Sequence, residues 1–344
     1  IHRHRRTFTT AWHPGSTKPI PVADHNSHTR LPLLVEQLLN STTLDIRAPG
    51  PNLEIHILTP SPERWHLLLL WPHALFDGIG INKLITSLAH PEPFTGTRTG
   101  TREGDAPSPG SLWQAAHPVI EEMRTFPAHR IRSLHRRRSK PGHSSFEVLT
   151  FDHTSTAAIS KHMAATAGEL LLLPYFACCA ARAVQAVIAT RHPDEDPPVL
   201  LSIPVQRHAR ADQRPLFHNH MVAYSLLLTA DELRELAPAS KTLYRKYASF
   251  IRRKLPAAMD ALMQLMDRCP SRFYLKPAAF YLKGEICTLF HSHTGTFAPD
   301  VTSLFGSRLL NGYHVPSVSS PPGIGIFFSE FDKQLTCTLS WKAG

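Results

Sequence analysis

Apolar positions recur in short runs along the chain, and their spacing switches between two residues and about 3.6 residues several times. Residues 7 to 12 (TFTTAW) predict a strand, 31 to 40 (LPLLVEQLLN) a short amphipathic helix, and 53 to 59 (LEIHILT) an alternating strand. The apolar run over 65 to 71 predicts a strand buried on both faces, and 79 to 89 the helix that follows it. Between these two lies the turn PHALFDG. From 91 to 110 the pattern lapses into PEPFTGTRTGTREGDAPSPG, whose Pro, Gly and Thr predict a solvated loop or linker.

Periodicity resumes at residue 144 with the strand FEVLTFD, two helical stretches within 154 to 191, and the strands VLLSIPV and MVAYSLLL. Residues 231 to 267 read as helical, with Leu233, Leu236, Leu243, Tyr247, Ile251, Leu255 and Met259 on roughly one side. EICTLFHSHTG and GIGIFFSEFDKQLTCTLSW predict late strands, the last two forming a hairpin that turns through residues 330 to 333. No repeat at solenoid period is present. The expectation is an α/β protein of two halves, residues 1 to 143 and 144 to 344.

Composition narrows the partners more than the fold. The 344 residues carry a formal charge of +10, which favours anionic partners such as coenzyme A phosphates, an acidic carrier protein or a lipid headgroup. No zinc-finger spacing, RNA-binding signature or basic zipper accompanies that charge, so no nucleic-acid partner is expected. Arg130, Arg132, Arg136, Arg137, Arg138 and Lys140 form a basic stretch expected to be a solvated face or linker. Five cysteines, two of them adjacent, do not resemble a secreted disulfide framework, and a cytoplasmic location is expected. No uninterrupted apolar run reaches the 18 or so residues of a membrane span, and the opening IHRHRRTFTT lacks the apolar stretch of a signal peptide. The chain does not begin with Met, so its N-terminus is expected to be incomplete.

The chemistry concentrates in Pro72-His73-Ala74-Leu75-Phe76-Asp77-Gly78. A strand end holds the backbone of His73 rigidly, Gly78 tolerates unusual dihedrals, and Gly80 permits close packing at the helix start. An imidazole so placed can act as a base at neutral pH. Three His-x-His pairs, His2/His4, His218/His220 and His291/His293, could each set two rings on one strand face, but no third ligand falls at a recognised spacing, and no metal is expected. Cys178 and Cys179 read as small core residues within a helix.

PHALFDG resembles the HHxxxDG motif of the coenzyme A-dependent acyltransferase superfamily, which includes chloramphenicol acetyltransferase, condensation domains, plant alcohol acyltransferases and bacterial wax ester synthases. His73 matches the second, catalytic histidine, and Pro72 stands where the first would be. LLSIPVQRHAR, FHNHMVAYSLLL and the closing PPGIGIFFSEFDKQLTCTLSW resemble further segments of that family in order and spacing, so the resemblance spans nearly the whole chain.

That resemblance implies two chloramphenicol-acetyltransferase-like subdomains forming a V-shaped pair with a central tunnel. It implies that His73 takes a proton from a hydroxyl or amine acceptor, which attacks a thioester donor, acyl-CoA or the phosphopantetheine of an acyl carrier protein, with no permanently bound cofactor. Asp77 would be architectural, pairing with Arg207, or with Arg210, since relatives carry the Arg where this chain has His208. Oxyanion or substrate contacts are expected from Asn219, Ser292, His293 and Thr294. The acceptor would be a small molecule or a lipid, a lipid acceptor would bring peripheral membrane contact, and a monomer is expected from the two fused halves. The alternatives are a carrier-dependent condensing enzyme and a non-catalytic member that binds a carrier protein or membrane.

Overall fold

A computed structural model describes residues 2–3, 10–11, 19–25, 29–41, 44, 52–90, 107–135, 142–206, 219, 221–268 and 283–342. The two-residue strands β1 (His2–Arg3) and β2 (Thr10–Ala11) pair antiparallel, and the rest of the strand expected at 7 to 12 lies outside the described residues. β3 (Val22–His25), α1 (Leu31–Ser41), β4 (Glu54–Ser61) and β5 (Arg64–Leu70) follow. β3 runs parallel to β4, and β4 and β5 form an antiparallel hairpin, giving a three-stranded sheet in the order β3-β4-β5.

β5 corrects the expectation of a strand buried on both faces: from Trp65 to Leu70 it is half-buried throughout. The reason is its place at the sheet edge, where β4 is its only strand neighbour among the described residues. α2 (Gly78–Ala89) matches its expected span. α3 (Pro109–Met123) starts where the linker's last residues supply a cap, Ser108 Oγ accepting from Ser111 N at 3.1 Å. Its Leu112 and Ala116 pack on Ala261 of a helix near the other end of the chain.

The larger sheet comprises β6 (Ser144–Thr150), β7 (Val199–Gln206), β8 (Met221–Leu228), β9 (Leu289–Thr296), β12 (Ile324–Phe331) and β13 (Gln334–Lys342), in the order β6-β13-β12-β9-β7-β8. Between β9 and β12 the short strands β10 (Ser303–Leu304) and β11 (Ser307–Arg308) pair with each other. β9 is parallel to both β7 and β12, and the remaining pairs are antiparallel. The β12–β13 hairpin closes at Asp332 and Lys333, both at positive φ (45° and 60°), within the span the sequence predicts for its turn.

Helices α4 (His153–Ala167), α5 (Leu172–Arg191), α6 (Ala230–Leu233), α7 (Leu236–Arg252) and α8 (Leu255–Asp267) complete this half. One face of the sheet, presenting Leu201, Ile203, Leu289, Ile326, Phe328, Leu335 and Cys337, shares a core with Phe176, Ala181, Val184 and Ile188 of α5 and Leu243 and Phe250 of α7. The helical stretch expected at 231 to 267 is three helices, broken where Lys254 turns left-handed (φ 55°) ahead of Pro256. Ile251, expected on the inner side, is exposed. The stretch Glu169–Arg191, which includes α5, is long and apolar enough to cross a membrane by length and composition, although no uninterrupted apolar run announces it. Here it serves as a core helix, half of it buried within the protein.

The halves are joined by side chains. Asn40 brackets the start of β6, donating to the Ser144 carbonyl (2.8 Å) and accepting from its N–H (2.6 Å). Asn82 of α2 donates to the Thr296 carbonyl and accepts from Ala298 N. Trp65 Nε1 donates to Ser307 Oγ at 3.0 Å. Ala298 and Val301 are buried with Leu75, Phe76, Ile81 and Ile85, so the segment after β9 completes the small core beneath the PHALFDG turn.

Candidate active site

The chain leaves β5 through a tight turn in which Leu75 N donates to the Pro72 carbonyl at 2.8 Å, placing His73 and Ala74 at its two central positions. Both are exposed, whereas Leu75, Phe76 and Asp77 behind them are buried. Trp71 clamps the turn: its Nε1 donates to the Phe76 carbonyl at 3.0 Å and its ring lies 5.2 Å from that of Phe76. The apolar letters of the motif therefore anchor the turn, and its histidine projects outward.

Asp77 is 1% exposed and is the N-cap of α2, its Oδ1 accepting from Ile79 N and Gly80 N at 3.0 Å each. A carboxylate there satisfies two otherwise orphaned donors and complements the positive end of the helix. Arg207 and Arg210, the partners expected for it, lie outside the described residues. Asp77→Ala should lower stability by about 1 to 2 kcal/mol through loss of the cap, measured by urea denaturation. Asp77→Asn, which keeps an acceptor without the charge, should recover most of that, and an equal loss in both variants would assign the residue to an ion pair instead.

His73 meets the second half directly. Asn219, two residues before β8, places Nδ2 3.1 Å from His73 Nδ1, while its Oδ1 accepts from Met221 N at 3.0 Å. Gly78 lies against Thr294, whose methyl group would be 4.0 Å from a Cβ added to the glycine. The Thr294 hydroxyl donates to the Phe328 carbonyl at 3.3 Å.

Strand alternation splits the β9 residues between two faces. Ser292 and Thr294 share the face opposite the helices, which in register also carries Ser202 and Ser225 of β7 and β8, Ser329 of β12, and Thr336, Thr338 and Ser340 of β13. This hydroxyl-rich face is written in the sequence as alternation within GIGIFFSEF and QLTCTLSW. His291 and His293 point the other way, into the core: His293 stacks on Phe176 (centroids 5.6 Å), and His291 is 1% exposed and lies 5.8 Å from Phe328. Of the four expected contact residues, the structure brings Asn219 onto His73 and Thr294 onto the motif glycine, sets Ser292 on the shared polar face, and turns the half-buried His293 to the opposite face of the sheet.

A second imidazole, not singled out in the sequence, belongs to this neighbourhood. His314 packs on Phe297 (centroids 5.1 Å), itself packed on the cluster that holds Leu75 and Phe76. Its Nε2 is buried without a partner. Burial, and secondarily the nearness of His73, push its pKa down to about 4, so it is uncharged at neutral pH. The segment that carries it, between β11 and β12, has no periodicity that could have pointed to it.

Burial likewise pushes His291 down to about 3, with His293 a lesser cause. Unfolded, both His291 and His314 bind a proton near 6.5; folded, they do so only at lower pH. The unfolded state therefore holds more protons below about pH 6.5, and stability present above that value drains away on acidification, by about 1.4 kcal/mol per pH unit for each ring. Urea denaturation at about pH 7 and about pH 5 should show this decline, with a shallower slope in His291→Leu. A flat profile across that interval would contradict the burial of neutral rings.

Among the described residues no three His, Cys, Asp or Glu side chains gather in a way that could hold a metal ion. His4, His218 and His220 of the His-x-His pairs lie outside the described residues. Burial pushes the Cys178 thiol up to about 12 and Cys337 to about 11, and raises Cys179 and Cys287, so these four stay protonated and poorly nucleophilic. Arg130 and Arg132 of the basic stretch converge on Glu195, at 2.9 and 2.7 Å, while Arg136 to Lys140 lie outside the described residues.

No protein-family model matches the chain, and no curated protein does. Solved structures do. A trichothecene 15-O-acetyltransferase from Fusarium sporotrichioides matches with a TM-score of 0.56 at 13% identity, over 86% of this chain and 67% of that one. The epimerization domain from the third module of tyrocidine synthetase B matches at 0.52 and 12% identity, over 96% of this chain and 76% of that one. SgcC5 from Streptomyces globisporus matches at 0.52 and 13% identity, over 99% and 81%. The chain has the mixed α/β, two-subdomain fold that the motif resemblance implies.

Proposed function

We propose that this chain is an acyltransferase that moves an acyl group from a thioester donor, acyl-CoA for preference, to a hydroxyl or amine acceptor, with His73 as general base. The observation that carries this reading is His73 itself, held on a rigid turn, exposed, and touched by Asn219 from the other half. In the reaction the imidazole takes the acceptor's proton as its oxygen or nitrogen attacks the thioester carbon; the C–S bond then breaks and the thiolate leaves, recovering the proton. Ser292 on the hydroxyl-rich face is the donor favoured for the oxyanion, since Thr294 is engaged by the Phe328 carbonyl. The acetyltransferase among the fold neighbours supports this reaction class.

A carrier-bound donor is the second reading, favoured by the fold match to the tyrocidine synthetase domain. Both donors carry phosphate, which suits the net positive charge. Thiol release from a panel of acyl-CoA donors, with small alcohols and amines as acceptors, tests the first reading. Acceptor-dependent release supports it. Release only from an acylated carrier protein would select the second, and release from neither by folded protein would sink both.

A further inference from the structure

The contact between Asn219 and His73 fixes more than position. Asn219 is anchored at one end, where its Oδ1 accepts the Met221 N–H at 3.0 Å. That bond needs an oxygen, so the end 3.1 Å from His73 Nδ1 is the amide NH₂. An amide NH₂ only donates, so Nδ1 of His73 must accept. A neutral imidazole carries one hydrogen, and the partner of one nitrogen decides which nitrogen has it. With Nδ1 accepting, the hydrogen sits on Nε2.

We propose that Asn219 is a positioning residue that sets the proton on His73, holding the ring in its Nε2–H form, so that the basic lone pair lies at Nδ1 and stays capped until the amide lets go. The inference rests on the reading of His73 as base. Once the amide has moved away, Nδ1 can take the acceptor's proton directly, and the Nε2 hydrogen stays where it is. An arriving acceptor whose hydroxyl or carbonyl engages the Asn219 amide would draw it off Nδ1 and release the base. Acceptor binding and base activation are thus coupled through one side chain, and a donor bound alone meets an idle imidazole. This protects the thioester from hydrolysis.

The tautomer is read directly by ¹⁵N NMR of histidine-labelled protein at a pH where His73 is neutral, its signals assigned by their loss in His73→Gln. The wild type should show a pyridine-type Nδ1 and a pyrrole-type Nε2. Asn219→Asp keeps an oxygen for Met221 N–H but turns a carboxylate acceptor towards the ring, and should exchange the two signal types. A pyrrole-type Nδ1 in the wild type, decided without any variant, overturns the proposal, as does an unchanged tautomer in folded Asn219→Asp. The spectra need no turnover, so a wild type with the expected signals and no acyl transfer would sink the proposed function while leaving the tautomer assignment standing.

Discussion

His73→Gln should lower acyl transfer by roughly 10²- to 10⁴-fold in kcat, the usual contribution of a positioned general base. The same substitution should leave stability within about 1 kcal/mol of wild type, because the side chain is exposed and the replacement forfeits a single hydrogen bond to Asn219. Steady-state kinetics and urea denaturation on the same preparation separate the two effects. A large drop in turnover at unchanged stability assigns His73 to the chemistry. Retained turnover would move the base elsewhere, and the uncharged His314, whose Nε2 has no hydrogen-bond partner, would be the next residue to test.

The second large effect is on folding. Phe76 is fully buried, packs on Leu75, Ile81 and Val301, and meets the Trp71 ring that clamps the turn. Phe76→Ala removes a large side chain from a small core that cannot readily collapse around the gap, and should cost about 3–5 kcal/mol in urea or thermal denaturation. Phe76→Leu should cost less. Because the same core sets the turn that presents His73, the folded fraction of Phe76→Ala should also have lost turnover. A cost near zero would mean that the turn is held by its backbone and the Asp77 cap alone.

These two residues also mark what could be read from the chain. The strand, turn and helix around PHALFDG were legible, since an apolar run, a turn and a 3.6-residue period follow in sequence there, and the 330–333 turn lay between two clear runs. The edge position of β5 was not, because an unbroken leucine run looks the same whether a strand has one neighbour or two. The break between α7 and α8 has a signal, Pro256, but the apolar period continues beyond it and masks the break. In the site, the exposure of His73 follows from its place in a tight turn. The contact with Asn219 joins residues 146 positions apart and depends on how the halves meet, which no local pattern records. His314 is the clearest case: it reaches the site from a segment without periodicity, by packing on Phe297.

Simultaneous assay of released thiol and acylated acceptor asks whether the acyl group is transferred, using the donor and acceptor pair that gives the strongest thiol signal and mass spectrometry for the product. Acylated acceptor should form in equal amount to thiol, and both should be lost in His73→Gln. Thiol released alongside free carboxylic acid, with no acylated acceptor, would make the chain a thioester hydrolase and overturn its assignment as a transferase.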